Sequence, residues 1–182
     1  MLRVSADLAL ASGGVSAVEQ TITALGQVDA LIHLAGGFAG GQRVEETSDE
    51  VWDEMLLLNL RTALNAMRAV IPPMRAAGKG RIIVVGSRAG REPAGKLSAY
   101  CASKAALHAL VESAAAELKH AGVTVNALLP STIDTPANRA SMGKGDAHKW
   151  VHPDSLASLA LWLCSDAGRD VTGALIPVYG RV

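Results

Sequence analysis

Apolar runs alternate with helix-period segments along almost the whole 182-residue chain, punctuated by glycine and aspartate turns. That alternation dictates a mostly parallel sheet, because strands running the same way must be joined by crossovers that lay helices on the sheet faces. The strand candidates are LRVSA (2–6), VDALIHLA (28–35), RIIVVGS (81–87), VTVNALLP (123–130) and ALIPVY (174–179). Their near-continuous hydrophobicity suits strands buried on both faces. Between them the periodicity predicts helices near 15–26, 49–77, 98–120 and 153–165.

The second helix opens at TSDEVWDEM, where Ser48 or Asp49 can cap and the acidic first turn opposes the helix dipole. Its Pro72–Pro73 pair is expected to kink or end it. The last opens with Pro153 and carries Leu156, Leu159, Ala160 and Leu163 on one face. The stretch PANRASMGKGDAHKW, 136–150, has no clean period and reads as a loop of the length that often carries function.

A chain of this length with 49% hydrophobic residues holds one core, so residues 1–182 are read as a single domain. Seventeen basic residues balance seventeen acidic ones without a basic block, which argues against nucleic acid and against an anionic membrane as partners. No apolar run reaches about 18 residues. Cys101 and Cys164 form no CxxC pair, so neither a disulfide framework nor a cysteine zinc site is expected, and a reducing cytoplasm fits.

Chemistry concentrates in SAYCASKAAL, 98–107, where Tyr100 and Lys104 are spaced i, i+4 and so share a helix face. An ammonium ~4–5 Å from the phenol, at an effective dielectric near ~20, favours phenolate by about 3–4 kcal/mol. The pair is therefore expected to lower the tyrosine pKa toward neutrality, where a general acid/base works best. Ser87 ends the RIIVVGS strand, and open α/β sheets bind ligands in the crevice at such strand ends. Asn59 interrupts the apolar run MLLLNLRTAL and needs partners if buried.

HLAGG, Asn59, VVGS with Ser87, YCASK, LLPSTIDTP and DVTGALIPVYG occur in order and together resemble the short-chain dehydrogenase/reductase family from about Val4 to the C-terminus. The resemblance implies a Rossmann-like α/β fold, a parallel sheet with helices on both faces. It implies NAD or NADP as cofactor and a small-molecule carbonyl or alcohol as substrate. Tyr100 would exchange the proton, Ser87 would orient the substrate oxygen, Lys104 would hold the nicotinamide ribose, and Asn59 would hold a relay water. Asp7 resembles the family aspartate at the adenine, and Ala35 and Gly36 the backbone beside the adenosine ribose. Pro130, Ile133 and Thr135 match positions around the carboxamide and phosphate. The family also implies a homo-oligomer through helices 49–77 and 98–120.

LPSTIDTPANRASM, DAHKW and AGGFAGG resemble the dihydropteridine reductase branch, which raises a pterin-like substrate, although Ser87 fits a general carbonyl reductase better. Ser131 stands where the family has glycine, and His33–Leu34 where it has an asparagine pair; His33 is read as a packing substitution. The family's opening strand, glycine-rich phosphate turn and helix have no counterpart, since no glycine cluster here has GxGxxG spacing. The resemblance implies an N-terminally truncated fold lacking the first two strands, with LRVSA either moving in beside VDALIHLA or leaving that edge for another chain. Weak cofactor binding follows. The alternative reading is a catalytically impaired remnant acting as an oligomerising or binding module.

Overall fold

The computed structural model describes residues 2–143 and 145–182. Four parallel strands form one sheet: β1 (Ala30–His33), β2 (Gly80–Val85), β3 (Val123–Pro130) and β4 (Leu175–Val178), in the spatial order β1-β2-β3-β4. The helices are α1 (Ala11–Leu25), α2 (Asp49–Leu56), α3 (Thr62–Ala77), α4 (Ser98–Leu118), α5 (Pro136–Met142) and α6 (Pro153–Cys164). A π-helical turn, Leu57–Arg61, joins α2 to α3 without a break.

Side-chain alternation along the strands divides the core in two. Ile82 and Val84 of β2, with Val125, Ala127 and Leu129 of β3, face Met67, Val70, Leu107 and Val111 of α3 and α4. Ile83 and Leu128 point the opposite way, onto Ala160 and Leu163 of α6. Helices therefore cover both faces of a parallel, Rossmann-like sheet. α1 packs on α3, at a crossing where a Cβ on buried Gly14 would lie 2.7 Å from the Asn65 carbonyl oxygen.

Three expectations need correction. Residues 2–6 form no strand and are mostly exposed. Among the described residues β1 is an edge paired with β2 alone, with Ile32 42% and Leu34 72% exposed, so LRVSA does not move in beside it. Without a neighbouring ladder, the few apolar side chains of 2–6 cannot offset the cost of ordering an extended backbone. The chain instead enters α1 through residues 8–9, whose carbonyls accept from Asn65 Nδ2 at 2.9 and 3.1 Å.

The Pro72–Pro73 pair does not end α3, which continues to Ala77 and stops at Gly78 in the left-handed conformation (φ 68°). The carbonyls deprived of a donor belong to exposed Arg68 and half-buried Ala69, where water can substitute. Finally, 136–150 is not wholly loop. Thr135 Oγ1 accepts the Asn138 N–H at 3.2 Å and Pro136 occupies the first turn, so α5 forms as a capped short helix.

Candidate active site

The parallel register brings the carboxyl ends of β1, β2 and β3 together, and of the expected site residues Ala35, Gly36, Ser87, Ile133 and Thr135 follow those ends. Ser87 lies two residues past β2, buried, and caps the short 3-10 turn Arg88–Gly90 by accepting the Ala89 N–H at 3.1 Å. It stands near enough to the phenol of Tyr100, in the first turn of α4, to lower that group's pKa. One turn on, Lys104 is 6% exposed and donates to the Val85 carbonyl at 3.0 Å. Helical spacing and the end of β2 thus converge on one hydroxyl pair and one ammonium.

Asn59, fully buried in the π-helical turn, holds three segments at once. Its Oδ1 accepts the Gly37 N–H at 3.0 Å, while Nδ2 donates to Ser103 Oγ at 3.0 Å and faces Met55 Sδ at 3.7 Å. Ser103 in turn donates to the Tyr100 carbonyl at 2.8 Å, so the amide is tied to the tyrosine's own turn. Gly36 sits where a Cβ would lie 2.8 Å from Asn59 Oδ1 and 3.4 Å from Lys104 Nζ. Only a bare backbone fits between amide and ammonium.

Ile133 and Thr135 bracket the entry to α5, the Ile133 carbonyl accepting from Asn138 Nδ2 at 2.7 Å and from Thr135 N at 2.9 Å. Pro130, buried, closes β3 opposite Val178. Ser131, replacing glycine, donates to the Tyr179 carbonyl at 2.6 Å and pins β3 to the end of β4. Asp7 is exposed and its carboxylate accepts the Ala9 N–H at 2.9 Å, a local turn rather than a contact with the other site residues. Ala35 is exposed on the same loop as Gly36. His33 is 4% exposed with Nε2 3.2 Å from Thr62 Oγ1, a satisfied core histidine.

The electrostatics depart from expectation. Burial raises the Tyr100 phenol above the ordinary tyrosine value, the Ser87 hydrogen bond pulls it back in part, and Lys104 is not among the groups that move it. Burial also pushes the Lys104 ammonium down to about 8. The low-dielectric pocket penalises both charged forms, and the ammonium is spent on the Val85 carbonyl rather than on the phenol.

Three side chains had not been singled out from the sequence. Ser103 is visible in hindsight as a hydroxyl at i+3 from Tyr100. Phe38, 68% exposed, sets its ring at a T-shaped 5.0 Å from Tyr100. His108, one turn beyond Lys104, is 4% exposed and held neutral, with burial first and then the charges of Lys104 and Arg91 pushing it down to about 4. Because its folded value lies below the unfolded one, the unfolded chain binds the proton first. Stability present above about pH 6.5 is lost as pH falls toward 4, by roughly 2–3 kcal/mol from this group. Urea unfolding across that range should give a shallower pH slope for His108→Gln than for the parent chain.

Residues 1–144 match the family described as short chain dehydrogenase. The short chain dehydrogenase ausX of Penicillium brasilianum is 31% identical, over 96% of this chain and 76% of that protein. The 2,5-dichloro-2,5-cyclohexadiene-1,4-diol dehydrogenase LinX of Sphingobium indicum is also 31% identical, over 98% of this chain and 74% of its own length. Among solved structures, gox2181 superposes with a TM-score of 0.90 at 29% identity, over 97% of this chain and 74% of that one. ElxO, solved with NADP bound, shares the fold with a TM-score of 0.89 at 19% identity, over 96% of this chain and 75% of its own. Fold and relatives together define an oxidoreductase of the dehydrogenase type. The chain belongs to the short-chain dehydrogenase family, and it spans about three quarters of the length of these relatives.

Proposed function

We propose that the protein is an NAD(P)-dependent carbonyl reductase, running in reverse as an alcohol dehydrogenase, with Tyr100 as general acid/base. The observation that carries this reading is the convergence of the Tyr100 phenol, the Ser87 hydroxyl and the Lys104 ammonium beyond the ends of parallel strands. In reduction, Ser87 donates a hydrogen bond to the substrate oxygen and Tyr100 transfers its proton to that oxygen. A phenol held above its ordinary value is protonated at neutral pH, which favours this direction.

A nicotinamide cofactor would supply the hydride. Its nicotinamide half suits the residues present. The bare backbone at Gly36 runs beside Lys104 Nζ, and that ammonium uses one of its three hydrogens on Val85, leaving two for a ribose diol. Ile133 and Thr135 would take the carboxamide and phosphate side, with Ala35 and Asp7 toward the adenosine.

The 182 residues hold no glycine-rich turn of GxGxxG spacing for the pyrophosphate. Two or three missing charge-assisted hydrogen bonds, at about 1.5–3 kcal/mol each, weaken binding by roughly 10³–10⁴-fold. Fluorescence titration of this chain with NADH and NADPH should therefore show dissociation constants near the millimolar range; tight micromolar saturation would contradict that. Turnover, followed as loss of reduced nicotinamide with a panel of carbonyl compounds, tests the activity. No turnover at saturating cofactor would leave the non-catalytic binding module as the better reading.

Within that panel a planar pterin-like ring has one observation in its favour, the exposed Phe38 edge standing over Tyr100. Self-association through 49–77 and 98–120 is supported by the small exposed face of α4, with Ala102, Ala105, Ala109 and Ala116, and is read out by light scattering.

A further inference from the structure

The geometry points to His108 as a positioning residue of this site: its Nε2 accepts the backbone N–H of Ser87 and so holds the turn that aims the Ser87 hydroxyl at Tyr100. The inference rests on the proposed pairing of Ser87 with Tyr100. It adds a residue that the acid/base cluster does not contain.

The contact is built from both sides. On α4, His108 lies one turn beyond Lys104, and its Nε2 stands 3.4 Å from Ser87 N. On the loop, glycines flank the serine. A Cβ at position 86 would lie 2.5 Å from His108 Nε2, and one at position 90 would lie 2.6 Å from His108 Cε1. The turn closes over the imidazole because neither Gly86 nor Gly90 carries a side chain. With the N–H taken by His108 and Oγ accepting from Ala89, Ser87 is held at main chain and side chain alike. Its hydroxyl proton remains to be directed at an oxygen.

A backbone N–H can only donate, so Nε2 must be bare and the ring proton must sit on Nδ1. The surrounding charges favour that neutral form. Lys104 on α4 and Arg91 just past the 3-10 turn both oppose an imidazolium, while Glu112, a turn further along α4, shares the cavity wall. That cavity, of about 530 Å³, is lined by Gly90, Arg91, His108, Glu112, Gly173 and Leu175.

Two variants separate positioning from packing. His108→Leu keeps an apolar side chain of similar bulk and removes the acceptor, whereas His108→Gln keeps an acceptor at similar reach. Tyr100 is one of two tyrosines, so ¹³Cζ-tyrosine NMR follows its titration directly, assigned with Tyr100→Phe. Expected for His108→Leu is a Tyr100 pKa moved upward, in the same direction as Ser87→Ala, because the lowering contribution of the Ser87 hydroxyl is lost. His108→Gln should titrate like the parent chain. Carbonyl-reducing kcat should fall roughly ten-fold in His108→Leu, about one hydrogen bond's worth, and recover in His108→Gln, with the cofactor KM unchanged.

A folded His108→Leu whose Tyr100 titrates as in the parent, while Ser87→Ala shifts it, overturns the inference. A long-range ¹H–¹⁵N spectrum of the parent chain needs no variant: the Nδ1–H tautomer of His108 at neutral pH supports the assignment, and an Nε2–H tautomer overturns it. Neither NMR readout requires turnover. Absence of activity in the parent chain would sink the reductase reading alone.

Discussion

If Tyr100 is the proposed general acid, Tyr100→Phe is expected to retain about one part in 10²–10⁴ of the carbonyl-reducing kcat, the usual contribution of a positioned general acid, and to keep the fold. The substitution removes one oxygen and nothing else. The ring keeps its T-shaped contact with Phe38 at 5.0 Å and its place in the first turn of α4. Losing the proposed hydrogen bond with Ser87 would cost about 0.5–1.5 kcal/mol, lowering the melting temperature by roughly 1–6 °C in a chain of this size. The measurement is kcat at saturating reduced nicotinamide beside a circular-dichroism melt. Unchanged kcat in a folded variant would remove Tyr100 from the chemistry and with it the reductase assignment. The same phenol predicts a direction with pH. Because burial holds it above its ordinary value, the proposed reduction is expected to run at neutral pH and alcohol oxidation to gain as the medium becomes alkaline.

Lys104→Met moves stability and activity in opposite directions. The ammonium is 6% exposed and its pKa is pushed down to about 8 from 10.5 by burial. The unfolded chain therefore holds that proton through a window in which the folded chain has released it. Stability of the parent rises with pH between about 8 and 10.5, and below about 8 the full penalty applies, roughly 3 kcal/mol. Methionine fills similar space without charge. It forfeits the bond to the Val85 carbonyl, about 1 kcal/mol, leaving a net gain near 1–2 kcal/mol at pH 7. Thermal melts should rise by about 2–8 °C, and the gain should vanish at alkaline pH. Turnover should fall while the melts rise, because the ammonium is the group proposed for the nicotinamide ribose. A Lys104→Met chain that melts lower at neutral pH would show that the buried charge is compensated by more than Val85. Such a trade of stability for a strained functional group is common where a charge is held out of water.

Local rules explain what was legible beforehand. A four-residue spacing on a helix is enough to put Tyr100 and Lys104 on one face, and four apolar runs of strand length each found a place in one parallel sheet. Those are consequences of periodicity, which a linear string carries. The segment LRVSA misled because a strand is a property of two neighbours, and nothing in five residues says whether a partner lies alongside. The Pro72–Pro73 pair misled because the cost of a missing N–H depends on how wet its carbonyl acceptor is. The direction of the Tyr100 shift is not legible in spacing, because burial opposes both charges and outweighs the Coulomb attraction that spacing alone implies.

Partnerships between distant segments were beyond the string altogether. His108 meets Ser87 only because β2 and α4 pack so that two glycines bracket an imidazole, and Asn59 reaches Ser103 across 44 residues from a π-helical turn. The amino-acid sequence by itself determined the layered parallel fold, the family, and which four side chains could form an acid/base cluster. Tertiary structure alone decided which hydrogen bonds those side chains spend on each other, and how burial sets their charges. The reason is that desolvation and hydrogen-bond partnership are properties of the space around a group, and that space is filled by residues far away along the chain.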